Sequence, residues 1–199
     1  MKIFTCMSVG LLIIIMGVSG AEAYELGQMG AGGYGGVAIP FGWLGDRLNP
    51  GFTVGGQFLY SLEDLIPNLV TRLNFNFMSF SGDTYHTYYK YHFSDFSVYA
   101  NGLYYFDLSS SFKPYAMAGF GFDIVHIEWD YKGYDHYDDH DTDVGRGFMA
   151  GGGIEFKPSE TIGVFSELYF HTSTYAAGAG FGDFVVKLVV GFSYYFNVN

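Results

Sequence analysis

Three groups of side chains have types and spacings that could do chemistry. The first is the run from Glu128 to Asp143, which sets Asp135, His136, Asp138, Asp139, His140 and Asp141 close together. Carboxylates suit Ca²⁺ or Mg²⁺ and imidazoles suit Zn²⁺ or Cu²⁺, so the run is a candidate divalent-cation loop. Its spacing matches no established calcium loop and it lacks a well-placed glycine, so a solvated acidic loop is the competing reading. The second group is Phe170-His171-Thr172-Ser173, where a histidine beside a serine can act as a general base on its hydroxyl. The third is a set of charges, Arg72, Asp123, Glu155, Glu167 and Lys187, each embedded in a largely apolar stretch. What these charges can do depends on the elements that carry them.

The clearest element is the last, Asp183 to Asn199. Phe184, Val186, Leu188, Val190, Phe192, Tyr194 and Phe196 fall on one face, and Val185, Lys187, Val189, Gly191, Ser193 and Tyr195 on the other. A period of two over a dozen residues is a β-strand pattern, because successive side chains point to opposite faces. Seven earlier segments repeat it: 29–39, 52–60, 69–80, 96–107, 114–129, 148–156 and 162–171. In each the apolar stripe opposes a face of mixed or polar residues, and the five charges all lie on that second face. Near Ile124-Val125 the alternation slips, which predicts either a bulge or the exit of the strand from an apolar layer. Connections after the second, fourth and sixth segments are short; those after the first, third, fifth and seventh are longer. The pattern predicts an all-β fold, an eight-stranded antiparallel transmembrane β-barrel with short periplasmic turns and longer external loops. A soluble barrel of this size would show the inverse, with apolar residues inside and charges outside, and five charges within a soluble core would carry a prohibitive cost.

Composition agrees. Aromatics reach 21%, Gly numbers 29, and only 15% of residues are charged, against roughly 25% in soluble domains. The net charge of −11 argues against a nucleic-acid partner, which would need a basic stripe. Met1-Lys2, the apolar run Ile3–Gly20 and Ala21-Glu22-Ala23 read as a cleavable secretory signal over 1–23, with 24–199 as the barrel. Removing the signal also removes Cys6, the sole cysteine, so no disulfide framework is expected.

Several segments carry a family resemblance. Lys113-Pro114-Tyr115-Ala116-Met117-Ala118-Gly119-Phe120-Gly121, the segment Ala150-Gly151-Gly152-Gly153-Ile154-Glu155-Phe156 and the ending Gly191-x-x-Tyr194-x-Phe196 resemble the small outer-membrane barrels that include the opacity proteins and the membrane domain of outer membrane protein A. The resemblance spans the mature chain. It implies outer-membrane lipid and lipopolysaccharide as surroundings, and the barrel-assembly machinery as a partner reading Gly191, Tyr194 and Phe196. Such chains commonly finish on the aromatic, whereas Asn197-Val198-Asn199 follows it here. Phe170 to Ser173 is also similar to the His-x-Ser of outer-membrane lipid A deacylases, although Thr174 stands where those enzymes carry Asn.

The expectation is a monomeric, non-enzymatic outer-membrane protein of a Gram-negative bacterium, without a cofactor, with a structural or adhesive role through its loops. An external ligand or host surface is the expected contact; the tyrosine-rich segment around Tyr85, Tyr88, Tyr89 and Tyr91 reads first as aromatics lining the outer interface, with an adhesive contact surface as the alternative. Two alternatives stand beside it: a narrow channel for small or hydrophobic solutes, and a lipid A-modifying enzyme. The five charges are expected to form one interior structural network. Within it, Lys187 would lie across the last hairpin from Glu167.

Overall fold

The computed structural model describes residues 28–42, 44–63, 65–83, 89–106, 111–131, 138–174 and 184–197. These form eight strands: β1 (Gln28–Phe41), β2 (Gly51–Ser61), β3 (Leu69–Asp83), β4 (Tyr89–Tyr105), β5 (Phe112–Tyr131), β6 (Asp138–Ser159), β7 (Ile162–Thr174) and β8 (Phe184–Asn197). Each pairs antiparallel with its sequence neighbour, and β1 pairs with β8, so the sheet closes on itself. Closure leaves no unpaired edge, which is the condition for a sheet to cross hydrocarbon.

The alternation read from the sequence sets the two faces. Phe52, Phe58, Phe75, Phe120, Phe122, Leu168, Phe170, Leu188 and Phe192 are exposed on the outside. Arg72, Asn74, Asn76, Asp123, Glu155, Glu167 and Lys187 are buried inside. An apolar exterior around a polar-containing lumen is stable only in lipid.

Strands β3 to β6 reach beyond the segments that the alternation indicated. β3 and β4 continue to Asp83 and Tyr89, and β5 and β6 to Tyr131 and Asp138. The slip near Ile124 proves to be the exit from the membrane. Pairing of β5 with β4 and β6 is continuous through this point, so no bulge intervenes. Phe122 and Ile124 face lipid, Val125 is buried, and the next outward position is His126. A register irregularity does occur elsewhere, between Phe156 and Ser159 at the opposite end of β6.

The lumen is filled in tiers. One apolar cluster includes Tyr34, Leu103, Met117, Met149, Tyr169 and Val189. A second, nearer the external end, joins Ala38, Met78, Phe80, Phe93, Val125 and Val185 to Leu44 and Leu48 from the β1–β2 connection. That connection folds back over the mouth as a tight turn: the Leu48 amide donates to the Leu44 carbonyl at 2.8 Å, and Asn49 to Ser81 at 2.9 Å. Gly82 makes this seat possible, since a Cβ there would lie 1.9 Å from the Arg47 carbonyl oxygen.

Candidate functional site

The interior polar groups are the buried chemistry that the fold concentrates among the described residues, and they sort by height. Along β7, Glu167, Tyr169 and His171 point inward in succession. At ~3.3 Å per residue, Glu167 and His171 lie about 13 Å apart along the strand.

In the lower tier, Arg72 on β3 forms an ion pair with Glu167 on β7, both side chains almost fully buried. Arg72 Nη1 also donates to Gln57 Oε1 at 3.1 Å, and Nη2 lies 2.8 Å from Met117 Sδ. The Tyr115 hydroxyl donates to Glu167 Oε1. Gln57 Nε2 reaches Ser193 Oγ at 2.9 Å, and the Tyr195 hydroxyl donates to Glu155. Lys157 stands 4.0 Å above the Tyr195 ring, a cation–π contact at the periplasmic end. Gln57, Leu59, Arg72, Tyr115 and Phe165 pack around this tier without leaving room for a water molecule.

In the upper tier, the Tyr99 hydroxyl lies 2.9 Å from Asp123 Oδ2 and 2.7 Å from His171 Nε2. The same imidazole nitrogen lies 3.0 Å from Asp123 Oδ1. Gly147 makes room for this contact, because a Cβ there would sit 1.6 Å from the Tyr99 oxygen. Asp95 completes the group: one ligand atom each from Asp95, Asp123 and His171 lies within 4.8 Å of the others. Lys187, fully buried, is attracted by the charges of Asp95 and Asp123, and its ammonium is 5.6 Å from the Tyr169 ring. The lysine's one positive charge offsets one of the two buried carboxylates, and its Nζ makes no hydrogen bond among the described residues.

The five predicted charges therefore all point into the lumen but belong to different tiers. Lys187 lies across from Tyr169, and Glu167 lies across from Val189. The expected Lys187–Glu167 pairing is replaced by Arg72–Glu167. A shift of two residues between β7 and β8 exchanges partners without turning any side chain to the other face, so alternation cannot detect it. Tyr99, Tyr115, Asp95 and Gln57 complete the network and were not singled out from the sequence. The visible signal was their inward parity.

His171 makes no hydrogen bond to Ser173. Its Nε2 is taken by Tyr99 and Asp123, and Nδ1 has no hydrogen-bond partner among the described residues. The nucleophile–base contact of an activated serine is absent there. In the acidic run, His140 and Asp141 are exposed on β6 and Asp138 and Asp139 begin that strand, whereas Asp135 and His136 lie outside the described residues. Tyr85 and Tyr88 lie outside them too. At the end of β8, Tyr194 and Phe196 face outward with ring centroids 6.3 Å apart. Gly191 faces inward under Phe165, whose Cζ a Cβ would approach to 2.4 Å.

Comparison with known proteins follows the same lines. No curated protein sequence matches significantly. The fold resembles Neisserial surface protein A, with a TM-score of 0.57 at 17% identity over 85% of this chain and 99% of that one. It resembles Ail, the attachment invasion locus protein of Yersinia pestis, with a TM-score of 0.55 at 14% identity, over 85% and 99%. A major outer membrane protein from Thermus thermophilus gives 0.57 at 12% identity over the same shares. At such identities the likeness concerns the fold. The outer membrane protein beta-barrel domain family matches residues 8–196. A closed eight-stranded barrel, apolar outside and charged inside, matched by that family along nearly its whole length, belongs to the outer-membrane β-barrel family and resides in the Gram-negative outer membrane.

Proposed function

We propose that this protein is a non-enzymatic scaffold that works through its external surface, in adhesion or surface contact. The observation that carries the reading is the filled lumen. Two apolar clusters and two charged tiers occupy it, and the turn bearing Leu44 and Leu48 covers the mouth. A solute would have to displace close-packed side chains and leave Arg72 or Glu167 without its partner. A lipid-acting site would have to face the bilayer, whereas His171 faces inward and its Nε2 is held by Asp123 and Tyr99.

In this reading residues 1–23 direct export and are removed, and 24–199 form the mature, monomeric barrel. Lipid and lipopolysaccharide surround it, and the barrel-assembly machinery reads Tyr194 and Phe196. Gly191 contributes by leaving space for Phe165. The Ail relative has been crystallised with the heparin analogue sucrose octasulfate. A sulfated partner suits a basic surface, and this chain carries −11. A basic or cation-bridged partner fits it better.

Planar-bilayer recordings of the refolded barrel should give no stable conductance steps. Cells displaying it should bind a host-matrix surface, and lose that binding when residues 132–137 are replaced by a short Gly-Ser linker. Stable unitary conductance would favour the channel. Altered lipid A on overexpression would favour the enzyme.

A further inference from the structure

Above the lipid band, the outward face of β4, β5 and β6 changes abruptly from aromatic to imidazole and carboxylate. On β5 the outward positions after Ile124 are His126 and Glu128. Glu128 pairs across to His92 on β4 and across to His140 on β6. Directly opposed residues on one face of an antiparallel pair have Cβ atoms about 5 Å apart. One carboxylate therefore stands between two cross-strand imidazoles, with a third imidazole two residues along its own strand. None of the three neighbours depends on a loop conformation; strand register sets them all.

The details orient His126. Its Nδ1 lies 2.9 Å from Thr142 Oγ1, and its Nε2 lies 3.2 Å from Glu128 Oε1. The His126 and His140 rings have centroids 6.1 Å apart. In one tautomer Nε2–H donates to Glu128; in the tautomer whose Nδ1–H is donated to Thr142, the Nε2 lone pair and the Glu128 oxygen are two donors placed to share one cation. The hydroxyl then plays the part that second-sphere partners play for metal-bound histidines, holding the tautomer and the ring plane. Asp141 is not part of the set, since it pairs with Ile127, which packs toward the lumen cluster.

We propose that His126, Glu128 and His140, with His92 as the fourth ligand, form a binding site for a divalent transition-metal ion on this external ledge. Three imidazoles and one carboxylate are the donor set of Zn²⁺ in tetrahedral coordination. Two imidazoles on one Zn²⁺ have ring centroids roughly 5 Å apart, so the present separation closes by a side-chain rotation of His140, which is exposed. The site differs from the candidate loop ligands Asp135, His136, Asp138 and Asp139, and shares only His140 with them. It rests on the strand register and stands whether or not the barrel is adhesive.

The test is calorimetric titration of the refolded barrel in detergent with Zn²⁺ alone. Binding of one ion per chain is expected, with affinity reduced roughly 100-fold in His126→Ala and in His140→Ala; loss of second-sphere partners alone costs 10- to 100-fold. His136→Ala should bind as the parent does. Co²⁺ substitution should give the intense visible bands of tetrahedral coordination, absent in Glu128→Gln. Heat-modifiable gel mobility of each variant reports that the barrel is folded. No stoichiometric Zn²⁺ heat from the folded parent would overturn the proposal. So would binding that survives His126→Ala but disappears in His136→Ala.

Discussion

At the residue scale, the most consequential contact is Arg72 with Glu167. Both groups are buried; Tyr115 adds a hydrogen bond to Glu167 and Gln57 accepts one from Arg72, while Arg72 Nε has no hydrogen-bond partner among the described residues. Removing one partner leaves an uncompensated charge, which costs about 3–5 kcal/mol, whereas replacing both with apolar groups of similar volume is often neutral. Glu167→Gln should therefore lower the urea-unfolding free energy in lipid vesicles by about 3 kcal/mol, and Arg72→Leu combined with Glu167→Leu should recover most of it. Equal losses in the single and double variants would show that packing, rather than charge, dominates at this tier. Both residues were recognised as inward from sequence. Their partnership was not, because they lie on strands four apart in chain order, and no local pattern encodes which charges meet across a lumen.

At the element scale, the β1–β2 connection is the part whose role the sequence left blank. Residues 43–50 read only as a loop, yet Leu44 and Leu48 are buried beneath it, packed with Met78, Phe80 and Phe93. Its seat depends on the bare backbone at Gly82. Gly82→Val should displace the turn, which would show as faster amide exchange over residues 44–49 with exchange in β6 and β7 unchanged. Protection of 44–49 equal to that of the parent would mean that the turn is held by its own hydrogen bonds. The β5–β6 hairpin makes the same point from the other side. Its acidic run looked like a long loop because polar residues break the apolar stripe, but β pairing continues to Asp130 and Asp138. Outside the bilayer both faces of a strand meet water, so the alternation disappears while the hydrogen-bonded ladder persists.

At the scale of the whole molecule, filling is redundant. Deleting residues 43–49 removes Leu44 and Leu48 but leaves Tyr34, Met149, Tyr169 and Val189 across the lumen below. Such a variant should still show no stable conductance in planar bilayers, and steps appearing on this deletion alone would identify the turn as the gate. Eight strands enclose only enough space for side chains, so function through the interior would need rearrangement of the barrel itself. Function through the outside needs only its loops and the ledge of His92, Glu128 and His140.

The sequence by itself determined the strand count, the inside and outside of each strand, and hence the lipid around the barrel. Alternation is local, and in an eight-stranded sheet it decides those properties completely. Only the tertiary structure decided which inward charge meets which, that Lys187 belongs with Asp95 and Asp123, and that three histidines and a glutamate share one external face. Those outcomes depend on register between strands, and a two-residue shift of register leaves every face, and so every sequence pattern, unchanged.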